Sequence, residues 1–157
     1  MTQYADGTTA RVRYDLDEGV ATIRLDNAPV NAISVRLRRD VWEALDRAER
    51  DGAGVVMILG GRAFFSAGAD VSELGNASAE SPTLAELVNR LAAMDVPTVA
   101  AVEGQALGGG LEIALACRHR LFSARARVAL PEIRLGLIPG AGGTQRLPGI
   151  VGAVRAL

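Results

Sequence analysis

The stretch TVAAVEGQALGGGLEIALAC, residues 98–117, carries the pattern from which the architecture can be read. It opens on an apolar run, TVAAV, closed by Glu103 and Gly104, the pattern of a short strand buried on both faces. Three glycines follow at 108, 109 and 110, then an apolar segment from Leu111 to Cys117 that holds one charge, Glu112. That segment predicts a helix with no wet face, preceded by glycines. A buried strand running into a buried helix is the working unit of an α/β chain.

The same alternation extends in both directions. ARVRYD (10–15) and GVATIRLD (19–26) alternate as strands, and the turn at Glu18-Gly19 makes them a hairpin. Pro29 marks a loop in NAPVNAI, and Ser34 reads as the N-cap of a helix over 35–51. Leu37, Val41, Ala44, Leu45 and Ala48 form its apolar face, and Gly52 and Gly54 end it. VVMILG (55–60) is a further strand buried on both faces. Residues 61–81 read as loop, with GNASAES (75–81) as its mobile part. Pro82 starts a helix with Ser81 as cap and Leu84, Leu87, Val88, Leu91 and Met94 on its apolar face, and Pro97 stops it. HRLFSA and ARVAL read as short strands, PEIRLGLIPGAGGTQRL as loop leading to a helix start, and VGAVRAL as helical. The whole, residues 1–157, is expected to be one α/β domain.

Composition removes several function classes. The net charge is -1 and no basic arm or stripe exists, so nucleic-acid binding has no electrostatic support. Cys117 is the only cysteine, which excludes a disulfide framework and a cysteine zinc site, and no metal site is legible. All basic residues are arginines, so Schiff-base lysine chemistry and a P-loop lysine are both excluded. The N-terminus shows no apolar signal region and no segment reads as a membrane span; the expectation is a cytoplasmic protein.

Glu112 poses the chemical question. A buried carboxylate is costly unless paired or protonated, and desolvation suits it to proton transfer near neutral pH. A structural ion pair is the alternative. The glycines beside it either allow close strand–helix packing or expose backbone N–H groups at a helix N-terminus, where they can hold an oxyanion. FSAGAD (65–70) reads as a turn capped by Asp70 or as a second source of such a donor. A serine nucleophile elbow at Ser66 fails, because Phe64 stands where its first glycine belongs. A triad would also need His119, the only histidine, which reads as structural. Glu132, after Pro131, is either a loop salt bridge to Arg134 or an acid/base partner for Glu112.

NAPVNAIS, FFSAGADVSELG, AAVEGQALGGGLEIALAC and LPEIRLGLIPGAGGTQRLPGIVG occur in the order found in the enoyl-CoA hydratase/isomerase (crotonase) superfamily, which the chain resembles from its first hairpin to its end. The wording resembles especially the hydratase part of bifunctional fatty-acid β-oxidation enzymes. The resemblance implies a superhelix of repeated β-β-α units and an acyl-CoA thioester substrate, with coenzyme A as part of the substrate and no other cofactor. It implies an oxyanion hole made by the N–H groups of Ala69 and Gly109. It implies that Glu112 activates the water that attacks C3 and Glu132 delivers a proton to C2. Ala67, Gly68, Asp70, Asn31, Ala32, Ile33, Gly108, Pro131 and Gly140 are expected to line the acyl-CoA site.

The family includes isomerases, which need only the carboxylate at Glu132. Many relatives carry a basic residue near the CoA phosphates where this chain has Ser72, so Arg36, Arg38 or Arg62 is expected to take that part. Complete members continue into C-terminal helices that finish the acyl pocket and build a trimer or hexamer. This chain therefore reads as the N-terminal core of a crotonase with those helices missing. An inactive acyl-CoA-binding or assembly remnant is the alternative of another class.

Overall fold

The computed structural model of the chain describes residues 11–73 and 82–156. Glu18 and Gly19 both take positive φ (46° and 79°), the backbone of a tight turn whose twist matches paired strands. They join β1 (Val12–Asp17) to β2 (Val20–Leu25) in an antiparallel pair. Ser34 caps α1 (Val35–Arg50), its side chain accepting the Leu37 N–H at 3.2 Å. All five residues of the expected apolar face of α1 are buried.

Beyond α1 the chain repeats one move. A strand joins a large sheet, the backbone turns a corner, a short strand joins a small sheet, and a helix follows. The first round is β3 (Val55–Leu59), β4 (Phe64–Ser66) and α2 (Leu84–Ala93). The second is β5 (Thr98–Val102), β6 (Gln105–Leu107) and α3 (Gly109–Ala116). The third is β7 (His119–Phe122), β8 (Arg127–Ala129) and α4 (Gly143–Val151), with α5 (Ala153–Ala156) after it. The large sheet has the order β1-β2-β3-β5-β7, parallel except for the hairpin. The small sheet has the order β4-β6-β8 and is parallel throughout. A bridge between Ile33 and Ala69 sets Ile33 beside the end of β4, so β2, Ile33 and α1 obey the same rule. These are the repeated β-β-α units of the expected α/β superhelix.

Three details differ from the sequence reading. β4 lies inside the stretch read as loop, and β6 was not foreseen. Each has three residues, too few to display a period of two. β3 and β5 are buried on one face and half-buried on the other, so their unbroken apolar runs do not mean two covered faces among the described residues. Ser81 and the 75–81 stretch lie outside the described residues; the cap of α2 is Thr83. Its hydroxyl accepts the Glu86 N–H (3.2 Å) and its own N–H donates to the Glu86 carboxylate (2.6 Å), a complete capping box. Thr83→Ala is therefore expected to cost about 1 kcal/mol of stability, read as a lower denaturation midpoint with an unchanged slope.

Candidate active site

All eight residues of α3 are buried, and Glu112 is only 2% exposed. Its Oε1 accepts the N–H groups of Ala141 (2.8 Å) and Gly143 (2.9 Å), from the turn that leads into α4. Two backbone donors thus satisfy a side-chain oxygen inside the protein. Among the described residues the partner of the buried carboxylate is therefore the 141–143 backbone and not an arginine. Sequence reasoning missed these two donors. The signal for them was the glycine-rich run PGAGG, which frees successive N–H groups to converge on an anion.

The turn after β4 carries Ala69, the first of the two residues whose N–H groups the family resemblance marks as donors. Gly68 takes φ 98°, a left-handed conformation closed to most side chains. Its carbonyl accepts the Ile33 N–H at 2.8 Å. In a trans peptide the C=O and N–H point in opposite directions, so the Ala69 N–H is aimed away from Ile33. It donates to no acceptor among the described residues. Gly109 is the second of them. It is the first residue of α3, so its N–H has no intrahelical partner. The two lie side by side: a Cβ on Gly109 would come 3.7 Å from Ala69 N, and one on Gly68 would come 3.5 Å from Gly109 N.

Glu132 opens a 3₁₀ turn directly after Pro131. Its Oε1 lies 2.9 Å from where a Cβ on Gly108 would stand, beside the two donors. Its Oε2 is buried and has no hydrogen-bond partner, and no ion pair to Arg134 is seen among the described residues. Burial pushes its carboxyl above the ordinary value of 4.5 and the negative charge of Glu112 adds to this, while a backbone hydrogen bond works the other way. The two carboxyls thus act on each other across one site.

The remaining predicted residues have varied surroundings. Ile33 is buried, and its Cδ1 would touch a Cβ on Gly109 at 3.3 Å. Ala32 offers its carbonyl to Asn27 Nδ2 (2.7 Å), and Ala67 donates its N–H to Val30 (2.9 Å). The Asn31 amide is turned inward, donating to the carbonyls of Phe64 (3.3 Å) and Phe65 (3.2 Å). Asp70 caps its own turn: Oδ1 accepts the Ser72 hydroxyl (2.7 Å) and N–H (3.0 Å), which hold its carboxyl below the usual range. Gly140 is exposed beside Ala141, with open space around it. Of the three arginines expected near CoA phosphates, Arg36 pairs with Asp40 and Arg38 is bonded to the carbonyls of Pro82 and Ile33. Arg62 pairs with Glu103 and precedes β4, whereas Ala69 follows it. His119 is exposed on β7, and burial pushes the Cys117 thiol up to about 12, so neither has the setting of a nucleophile pair.

The model of the family described as enoyl-CoA hydratase/isomerase matches residues 15–157. The chain belongs to that family. Among its curated relatives is the human peroxisomal bifunctional enzyme, 46% identical over 143 residues, which cover 90% of this chain and 20% of the relative. A Bacillus subtilis protein described as a "probable enoyl-CoA hydratase" is 43% identical over 149 residues, covering 90% of this chain and 58% of the relative. The crystal structure of an enoyl-CoA hydratase from Bacillus anthracis superposes with a TM-score of 0.85 at 33% identity, covering 93% of this chain and 60% of that one. This enoyl-CoA hydratase/isomerase family chain therefore spans no more than about three fifths of these relatives. Among the described residues no helix is long and apolar enough to cross a membrane.

Proposed function

We propose that this chain carries the catalytic core of an enoyl-CoA hydratase, which adds water to a 2-enoyl-CoA thioester to give a 3-hydroxyacyl-CoA. The observation that carries the reading is the convergence of two unpartnered backbone N–H groups, Ala69 and Gly109, with two mutually repelling carboxyls, Glu112 and Glu132. The thioester oxygen sits between the two N–H groups. Glu112, held by Ala141 and Gly143, takes a proton from the water whose oxygen bonds to C3. The C2–C3 π pair moves toward the thioester carbonyl, and the enolate charge is stabilised by the two donors. Glu132 then gives its proton to C2. The carboxyl pair holds one proton before and after turnover, as like charges at close quarters favour.

Family resemblance adds the acyl-CoA contacts: the Ala67 carbonyl, Gly68, Asp70, the 31–33 segment, Gly108, Pro131 and Gly140 border the bound thioester. The test is loss of the ultraviolet absorbance of crotonyl-CoA on hydration; a folded protein that binds the thioester without turnover refutes the assignment. Activity is expected to fall as pH rises through the raised value of Glu132, since the acid form is the donor. The same shift fixes a sign for stability. A carboxyl held above its ordinary value contributes stability that is full below about pH 4.5 and lost as pH rises through the raised value. Glu132→Gln is thus expected to melt above the parent at pH 8 and to lose that advantage toward pH 4.5.

One observation favours a second activity. Glu132 has a buried carboxyl oxygen without a hydrogen-bond partner and a raised proton affinity, and it can shuttle a proton between C2 and C4 of a 3-enoyl-CoA. Isomerase turnover that survives in Glu112→Gln but not in Glu132→Gln identifies it. Self-association is also proposed. Leu121, Phe122, Ile133, Ile138 and Val154 stand exposed and are the apolar side chains that contact between copies would cover. Sedimentation of a concentration series reads it.

A further inference from the structure

Ser66, at the end of β4, is fully buried and has no part in the chemistry above. Its hydroxyl donates to the Asn31 carbonyl at 2.7 Å and accepts the Gly68 N–H at 3.1 Å. It thereby ties together two backbone segments that meet at the oxyanion hole. The Asn31 side is firm: Asn31 takes φ 52°, and its amide is bonded to the carbonyls of Phe64 and Phe65. Two residues on, the Ile33 N–H holds the Gly68 carbonyl. Gly68 is therefore gripped at its N–H by Ser66 and at its C=O by Ile33. A third element rests on the same residue. A Cβ on Gly110 would come 2.7 Å from Ser66 Cβ, so α3, which carries Gly109, packs directly against Ser66.

We infer that Ser66 is a positioning residue for the oxyanion hole: its hydroxyl fixes the rotation of the Gly68–Ala69 turn, so that the Ala69 and Gly109 N–H groups share one target. The hydroxyl proton is committed to the Asn31 carbonyl, which accounts for a serine that is no nucleophile. A glycine at φ 98° has more conformational freedom than any other residue, and its direction must come from outside. Ser66 lies where that direction can be imposed. An oxyanion donor is useful only when aimed at the developing charge, so a small rotation of this peptide reaches catalysis.

The inference rests on the hydratase reading for what the donors hold. The positioning itself is a property of the free protein and is tested there first, on the full chain. In Ser66→Ala and Ser66→Cys, exchange of the Gly68 amide hydrogen is expected to speed up at least about tenfold and the Ala69 amide resonance to move, as follows from losing a buried acceptor. With crotonyl-CoA, kcat is expected to fall about tenfold to a hundredfold while KM stays within about threefold, the mark of an interaction made in the transition state. The carbonyl stretch of the bound enoyl thioester is expected to lose part of its red shift, whereas affinity for an S-alkyl-CoA thioether, which has no carbonyl, is expected to hold. A lower melting temperature with unchanged Gly68 exchange, unchanged Ala69 resonance and unchanged carbonyl frequency reduces Ser66 to packing and overturns the inference. Should the parent protein not hydrate crotonyl-CoA, the hydratase reading fails, and the amide measurements alone decide the role of Ser66.

Discussion

Glu112→Gln is expected to lower kcat for crotonyl-CoA hydration by about two to four orders of magnitude, the usual worth of a positioned general base. The substitution is mild in shape. The amide oxygen can still accept the N–H groups of Ala141 and Gly143, so the turn before α4 keeps its anchor. The charge and the proton-accepting capacity are lost. Because the negative charge of Glu112 helps to raise Glu132, removing it brings Glu132 back toward 4.5. The alkaline limb of any residual activity should therefore move to lower pH in Glu112→Gln and be absent in Glu132→Gln. The measurement is a pair of pH–kcat profiles beside thermal melts. A Glu112→Gln protein with kcat within about threefold of the parent refutes the base role. A limb that stays in place refutes the coupling.

The legible parts of this chain were those with a periodic or a continuous apolar pattern. The stripe from Leu37 to Ala48 marked α1, and the unbroken apolar runs marked β3 and β5. The helix without a wet face marked α3. Of the small sheet only β8 was legible, within ARVAL; β4 and β6 are three residues long and are set by neighbours rather than by their own pattern. The same division holds in the site. Glu112 announced itself as a charge in an apolar helix, and Glu132 as a carboxylate after a proline. What holds Glu112 was marked only indirectly, by the glycine-rich run PGAGG, since a backbone N–H has no residue letter of its own. Ser66 was read only as a failed nucleophile, because its role depends on Asn31, 35 residues away in sequence. Sequence spacing marks candidate acid/base groups more readily than the backbone and hydroxyl groups that hold them in place.

Gly104→Ala is expected to cost about 3 kcal/mol, the upper end of what overpacking a core does, and to lower the melting temperature by about 6–12 °C for a chain of this size. Gly104 is the corner between β5 and β6, laid against the corner before β4. A Cβ there would come 2.6 Å from the Arg62 carbonyl oxygen and would also overlap the Ala63 backbone. Those atoms belong to main chain and cannot swing aside as a side-chain tip would. The corner is held from both sides, since Gln105 donates to Ala63 (2.9 Å) and Arg127 donates to the Gly104 carbonyl (3.2 Å). Relief of the overlap therefore parts β6 from β4 and strains the β6–β8 ladder. β6 also delivers Gly108 and Gly109 to the site, and β4 delivers Gly68 and Ala69, so the loss of fit between them should lower kcat as well as stability. Gly149→Ala is the control. It lies inside α4 with nothing within 4 Å of its would-be Cβ, and there alanine should stabilise by up to about 1 kcal/mol. Equal melting temperatures for the two variants would mean that the corner yields freely. The two sheets would then not be locked by their glycines, and the alignment of Ala69 with Gly109 would have to come from the helix packing alone.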